Sequence, residues 1–86
     1  MEDYQSLMIQ YKIKGLGNCN DIIKRNNILF KIHLLLEENQ LGFGEGGGLG
    51  IGIMDIICYV KNKEIAIPLI KESLINSEYS DFHRIV

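Results

Sequence analysis

The stretch "LGFGEGGGLGIGIMDIICYV", residues 41–60, decides the fold because a glycine run leads directly into an apolar strand. Glycine occupies every even position from Gly42 to Gly52. Four larger residues continue the same parity: Met54, Ile56, Cys58 and Val60. Alternate residues of an extended chain share one face of a sheet. The pattern therefore predicts a strand over 50–60 whose even positions meet the helices, preceded by a hairpin with its turn near 46–48.

The glycines also satisfy a phosphate-loop pattern, GxGxxG, at Gly42, Gly44 and Gly47. Such a loop needs a strand before it and a helix after it, so that the helix N-terminus meets the phosphate. Here the predicted helix comes first and the strand follows. The glycines instead indicate a sheet face without side chains, which allows a helix to approach closely or a bulge to form.

The flanking segments alternate between strand and helix periodicity. Residues 4–14 alternate polar and apolar side chains and predict a half-buried strand. Residues 20–38 carry a helical stripe flanked by Phe30 and Leu34, so this helix is expected to be broadly buried. The stripe consists of Ile28, Leu29, Ile32, Leu35 and Leu36. Residues 62–78 predict a second helix, and residues 81–86 predict a final strand.

This order predicts an α+β domain that spans residues 1–86. If the glycine segment supplies a strand of its own, the order is βαββαβ, the ferredoxin-like arrangement of one antiparallel sheet with two helices on one face. A three-stranded βαβαβ arrangement is the alternative.

Composition excludes several classes of function. The net charge is −2 and the chain has no basic block, so no nucleic-acid interface is expected. No apolar run approaches the roughly 18 residues of a membrane span, and the N-terminus does not resemble a signal peptide. Cys19 and Cys58 lie far apart in the sequence and form no CxxC pair. We expect both to be free thiols in a reducing compartment. We therefore expect a cytoplasmic protein without a membrane partner.

Residues that could carry catalysis are few and isolated. His33 lies within an apolar helix, and Cys58 lies on the helix-facing side of its strand, where a thiol is inert. Cys19 lies near a helix start but has no base close in sequence. The sequence therefore predicts a protein that is not an enzyme and that holds no cofactor and no metal.

The opposite face of the 50–60 strand is expected to form an interaction surface. An 86-residue chain with two helices on one face has no further element to cover the other. Three isoleucines and a tyrosine surround one carboxylate there, and such patches mark interaction sites. These residues are Ile51, Ile53, Asp55, Ile57 and Tyr59. If the strand parity were reversed, this set would be the core and the even set the surface.

The glycine spacing resembles that of a known group of proteins. Gly42, Gly46, Gly50 and Gly52 form a G-x3-G-x3-G-x-G segment followed by the strand "MDIICYV". This segment is similar to one in small bacterial ferredoxin-like α/β immunity proteins, which neutralise a toxin in bacterial competition. The resemblance covers residues 28–86 and includes the acidic Glu45 before the second glycine, whereas Gly47–Gly48 replace polar residues of that group.

The resemblance implies a non-catalytic protein that binds and neutralises a cognate bacterial toxin. Acidic side chains would steer a basic toxin, and apolar ones would form the buried anchor. The expected partner-binding residues are Glu37, Glu38, Glu45, Ile51, Ile53, Asp55 and Tyr59. The alternative is a small regulatory domain that forms a homodimer and binds a metabolite at the subunit boundary.

Overall fold

The computed structural model describes residues 3–86, which form four β-strands and two α-helices. Along the chain these are β1 (Gln5–Lys12), α1 (Cys19–Glu38), β2 (Gly42–Gly50), β3 (Ile53–Val60), α2 (Lys63–Ile75) and β4 (Arg84–Ile85). The strands form one sheet in the order β2-β3-β1-β4, and every neighbouring pair is antiparallel. The fold is therefore α+β, compatible with a ferredoxin-like arrangement, and the three-stranded alternative is wrong because the glycine segment is itself a strand.

One face of the sheet carries the core, as the alternating sequence predicts. Every even residue of β3 is buried, and every odd residue is half-buried. The buried residues of β1 are paired with them in register, and both helices add buried residues to the same cluster. The core consists of Leu7, Ile9, Tyr11, Ile28, Ile32, Leu36, Met54, Ile56, Cys58, Val60, Ala66, Ile70 and Leu74. The two helices thus cover one face and leave the other, which we call the open face.

Asparagine side chains fix where each helix begins. Asn18 accepts a hydrogen bond from the backbone of Asp21, whose carboxylate bonds back to the Asn18 backbone in a capping box. Asn62 accepts from the backbone amides of Glu64 and Ile65 at the start of α2. Both helices therefore start within a residue or two of the predicted positions.

The outer surface of α1 is more apolar than expected. Phe30 and Leu34 were expected to be buried beside the core stripe, yet they are 64% and 42% exposed. Both lie outside the stripe of α1 that packs on the sheet, with Phe30 towards the β2 edge, because a single layer of helices covers only about one side of each helix. The prediction of a broadly buried helix is therefore wrong.

The hairpin turn lies later in the chain than predicted. The β2–β3 ladder runs to the pair Gly50–Ile53, so the turn consists of Ile51 and Gly52 rather than residues 46–48. Gly52 has a φ of 77°, a conformation that side chains disfavour. The strand predicted from residue 50 accordingly begins at Ile53.

A β-bulge at Glu45 changes which face the glycines occupy. Gly44 pairs with Cys58 and Gly46 with Ile57, so Glu45 has no partner across the ladder. Before the bulge, even residues lie on the helix-covered face; after it, Gly46, Gly48 and Gly50 lie on the open face. The predicted glycine face is therefore correct only up to Gly44.

The bulge divides the glycines into two structural classes. A Cβ on Gly42 or Gly47 would lie 2.0 Å from a backbone carbonyl oxygen of β3, and one on Gly44 would lie 2.8 Å from the Leu29 side chain. Gly42 and Gly47 therefore need glycine for the fold itself, whereas a Cβ on Gly44 would require the Leu29 side chain to shift. A Cβ on Gly46 or Gly48 would meet nothing within 4 Å.

The last strand is shorter than residues 81–86. β4 comprises Arg84–Ile85, and the ladder to β1 continues through two backbone hydrogen bonds between Met8 and Val86, at 2.8 and 2.9 Å. Residues 81–82 lead the chain from α2 back to the sheet, and the His83 amide makes the first backbone hydrogen bond to β1, with the Gln10 carbonyl.

The buried thiol of Cys58 should make stability depend on alkaline pH. Desolvation raises the pKa of Cys58 from 9.0 to about 12. Above pH 9 the thiol ionises in the unfolded chain while it stays protonated in the fold, so unfolding releases a proton and stability falls as pH rises. We expect the free energy of unfolding to fall between pH 9 and 10 by up to about 1.4 kcal/mol more in the wild type than in Cys58→Val.

Chemical denaturation of both proteins at several pH values measures this difference. Restricting the range to pH 10 limits the contribution of Tyr11, whose pKa is also raised by burial. Parallel pH profiles for the two proteins would contradict the assignment of Cys58 as a desolvated thiol.

Candidate functional site

The open face carries a row of polar side chains that crosses three strands and ends at Gly48 on the fourth. Gly48 pairs with Asp55, Asp55 with Gln10, and Gln10 with Arg84. The Gln10 side chain links its two neighbours, since its Nε2 donates to Asp55 Oδ1 at 2.9 Å and its Oε1 accepts from Arg84 Nε. A neutral amide thereby connects a carboxylate and a guanidinium on strands that are not adjacent.

This row corrects the expected environment of Asp55. From the sequence, Asp55 was expected to be the one carboxylate within an otherwise apolar patch. Gln10 instead occupies one carboxylate oxygen, and the residue opposite Asp55 on β2 is Gly48. Glu45 lies in the bulge, three residues before Gly48. The centre of the open face is therefore a structured polar row rather than an isolated acid.

Apolar side chains lie on both sides of the row. Ile53 and Ile57 are the half-buried neighbours of Asp55 on its own face of β3. Tyr59 belongs to an aromatic cluster at the end of the sheet, where its ring centroid lies 5.7 Å from that of Phe43, and Phe43 lies 5.3 Å from Tyr4. Such amphipathic rings are typical of binding surfaces.

Ile51 occupies the hairpin turn rather than the strand. Its side chain is 85% exposed, the largest value among the exposed apolar residues of the described chain. The turn projects it beyond the sheet, so it can reach a partner without belonging to the patch formed by Ile53 and Tyr59.

A second group of the predicted residues lies where α1 meets the edge strand β2. His33 Nδ1 accepts a hydrogen bond from the backbone amide of Gly44 at 3.0 Å, and its Nε2 lies 2.7 Å from Glu37 Oε1. The Nδ1 atom must be unprotonated to accept, so the ring proton lies on Nε2 and points at Glu37. Glu45 follows Gly44 directly, and Glu38 is exposed at the end of α1. Glu37 and Glu38 belong to α1 and therefore lie on the helix-covered side of the sheet.

A shallow cavity of about 360 Å³ lies beside this second group. Asn26, Leu29, Phe30, His33 and Gly44 line it, so α1 forms one wall and the edge strand the other. Its lining is mainly apolar, with one amide and one imidazole as polar groups.

Both ring nitrogens of His33 are engaged, and no hydroxyl or thiol lies among their hydrogen-bond partners. Within residues 3–86, no group of three histidine, cysteine or carboxylate side chains is placed to hold a metal ion. None of the helices formed by these residues is long and apolar enough to cross a bilayer.

Several residues of these two surfaces were not anticipated from the sequence, among them Gln10, Arg84 and His33 in its role at the strand edge. The only signal for Gln10 was a polar residue at the centre of a strand that is otherwise apolar there. Its partners lie 45 and 74 residues away, so only the sheet order reveals them.

Comparison of the chain with family models, with curated proteins and with solved structures finds no match. The class that the fold and the surfaces define is accordingly a small α+β protein with one uncovered sheet face.

Proposed function

We propose that this protein is an immunity protein that binds a cognate bacterial toxin and neutralises it in the cytoplasm. In this proposal the chain has a ferredoxin-like βαββαβ fold, and the toxin, most simply the C-terminal domain of a secreted protein, docks on the open face. The resemblance in the glycine segment supports the class of protein.

The observation that carries the proposal is the uncovered open face. Ile53, Ile57 and Tyr59 place apolar surface around Asp55, and no element of residues 3–86 covers them. A monomer that leaves a sheet face of this kind exposed usually binds another molecule there. The apolar side chains would anchor a partner, and the fixed polar row would set the partner's orientation on the open face.

The proposal assigns different roles to the two groups of acidic residues. Asp55 would pair with a basic group of the toxin at the centre of the interface, where water is excluded. Glu37, Glu38 and Glu45 would lie at the periphery and accelerate association with a basic toxin, since charges at the rim act mainly on the rate of encounter.

Co-expression tests the proposal directly. If the gene next to this one encodes a large secreted protein, the C-terminal domain of that protein is the toxin probe, produced with and without the chain. We expect the domain to arrest bacterial growth, the chain to restore it, and the two proteins to co-purify in equal amounts. A toxic domain whose effect the chain does not change would overturn the proposal.

A second function is favoured by the cavity at the β2 edge. Its apolar walls and two polar groups suit a small metabolite, which a regulatory domain would bind at a subunit boundary. A thermal-shift screen with metabolites distinguishes the two functions, because only the second predicts stabilisation by a small molecule.

A further inference from the structure

The two edge strands of the sheet, β2 and β4, are protected to different degrees against pairing with a further strand. On one side, β4 has only two residues and carries Arg84, which makes it a poor template for another strand. On the other side, β2 has nine residues and contains neither lysine nor proline. The β2 edge is therefore the one that can accept a further strand.

Only the first half of β2 is protected against pairing with another strand. His33 occupies the Gly44 amide, and the bulge at Glu45 interrupts the pairing pattern there. The second half, Gly46–Gly50, has no such feature, and a strand edge of this kind presents unpaired backbone donors and acceptors.

The side of α1 next to this edge is apolar and exposed. Leu29 and His33 contact the edge strand, and Ile22 lies on the same side of the helix, seven residues before Leu29. Ile22 is 40% exposed and Phe30 is 64% exposed. The edge strand and the helix thus form one surface of two layers. The strand contributes backbone hydrogen-bonding groups, and the helix packed on it contributes exposed apolar side chains.

We propose that a second copy of this chain covers the surface. The Gly46–Gly50 edges of two copies pair antiparallel around a two-fold axis at Gly48, and their α1 helices pack across the same axis. A two-fold interface joins identical patches, so it must be self-complementary. A second copy supplies both requirements at once, a strand for the open edge and an apolar helix side for Ile22 and Phe30.

The charges of β2 are compatible with this symmetry. Glu45 is the only charged residue of the strand. With the axis at Gly48, Glu45 of one copy lies opposite Ile51 of the other, since the two residues are equally far from Gly48. The two Glu45 carboxylates are therefore kept apart, whereas an axis at Glu45 would place like charges in contact.

The available area matches that of a weak dimer. The five paired strand residues span about 17 Å, the 20-residue helix spans about 30 Å, and each layer is about 10 Å thick. This gives roughly 470 Å² per copy, or about 940 Å² in total, which is in the range of weak, transient interfaces. The dimer leaves the open face of both copies free for the proposed toxin.

Sedimentation of the full chain tests the proposal, measured from about 5 µM to about 500 µM, a range that covers weak association. We expect the mass to rise from 9.8 kDa towards twice that value. Phe30→Glu should weaken association at least tenfold because it buries charge in the interface. Ile65→Glu is the matched control, since Ile65 is exposed on α2, away from the edge, and should leave association unchanged.

Cysteine cross-linking locates the axis independently. In a Cys19→Ser background, Gly48→Cys should form a disulfide-linked dimer with itself, because its side chain meets its own symmetry mate. Gly46→Cys and Gly50→Cys should cross-link with each other when mixed and poorly when alone. A wild type that stays monomeric throughout, or a dimer that neither Phe30→Glu weakens nor Gly48→Cys cross-links, would overturn the proposal.

Discussion

Gly47→Ala should destabilise the protein severely, by about 3 kcal/mol or more, which is the upper end for overpacking a well-ordered site. The added Cβ would lie 2.0 Å from the Asp55 carbonyl oxygen and 3.0 Å from its carbonyl carbon. Both atoms belong to the backbone of β3, so relief requires the two strands to separate. For a domain of this size the melting temperature should fall by roughly 12 °C or more.

Gly48→Ala is the matched control, one residue away on the same strand. A Cβ there meets nothing within 4 Å, and alanine reduces the entropy of the unfolded chain. We expect its melting temperature to equal or slightly exceed that of the wild type. Calorimetry of the two variants at one concentration makes the comparison, and equal losses in both would refute the division of the glycines by the bulge.

Asp55→Ala should weaken toxin binding by roughly thirtyfold or more, because removing one member of a desolvated charge pair costs about 2–5 kcal/mol. Its effect on stability should be small, about 1 kcal/mol, since one hydrogen bond to Gln10 is lost. Isothermal calorimetry with the toxin domain and thermal melting of the free protein measure the two effects separately.

Asp55→Asn separates the charge from the hydrogen bond. The asparagine oxygen can still accept from Gln10 Nε2, so stability should be retained while the charge is lost. Glu72→Gln on the exposed surface of α2 makes the same chemical change away from the open face and should bind like the wild type. If Asp55→Asn also binds like the wild type, the carboxylate does not pair with the toxin; if Asp55→Ala unfolds, its role is structural.

The sequence determines the layers of this fold more clearly than its connections. Strict alternation in β3 and the 3.6-residue stripe in α1 each bury a defined face, and both were predicted at the correct positions. The turn was misplaced because alternating glycines carry no hydrophobic signal, and any of them could have supplied it. Only pairing with β3 shows that the strand continues to Gly50.

The candidate site was predictable where it depends on local parity and unpredictable where it depends on register. The alternation of β3 alone places Ile53, Asp55 and Tyr59 on the open face. The Gln10 amide that binds Asp55 comes from a strand 45 residues away, and the bulge at Glu45, which changes the face that the following glycines occupy, leaves no signature in the sequence.

The hairpin tip also bears on the order in which the chain can assemble. Gly52 donates to the Gly15 carbonyl at 2.7 Å and accepts from the Ile13 amide at 3.1 Å, so the turn is joined to the end of β1. A two-residue hairpin closes within microseconds. By contrast, α1 and β2 separate β1 from β3 along the chain, so pairing of β1 with β3 has a larger loop-closure entropy. We therefore expect the hairpin tip to fix the register of β1 when the two strands pair: a slip by one residue would break both bonds and turn Leu7, Ile9 and Tyr11 out of the core.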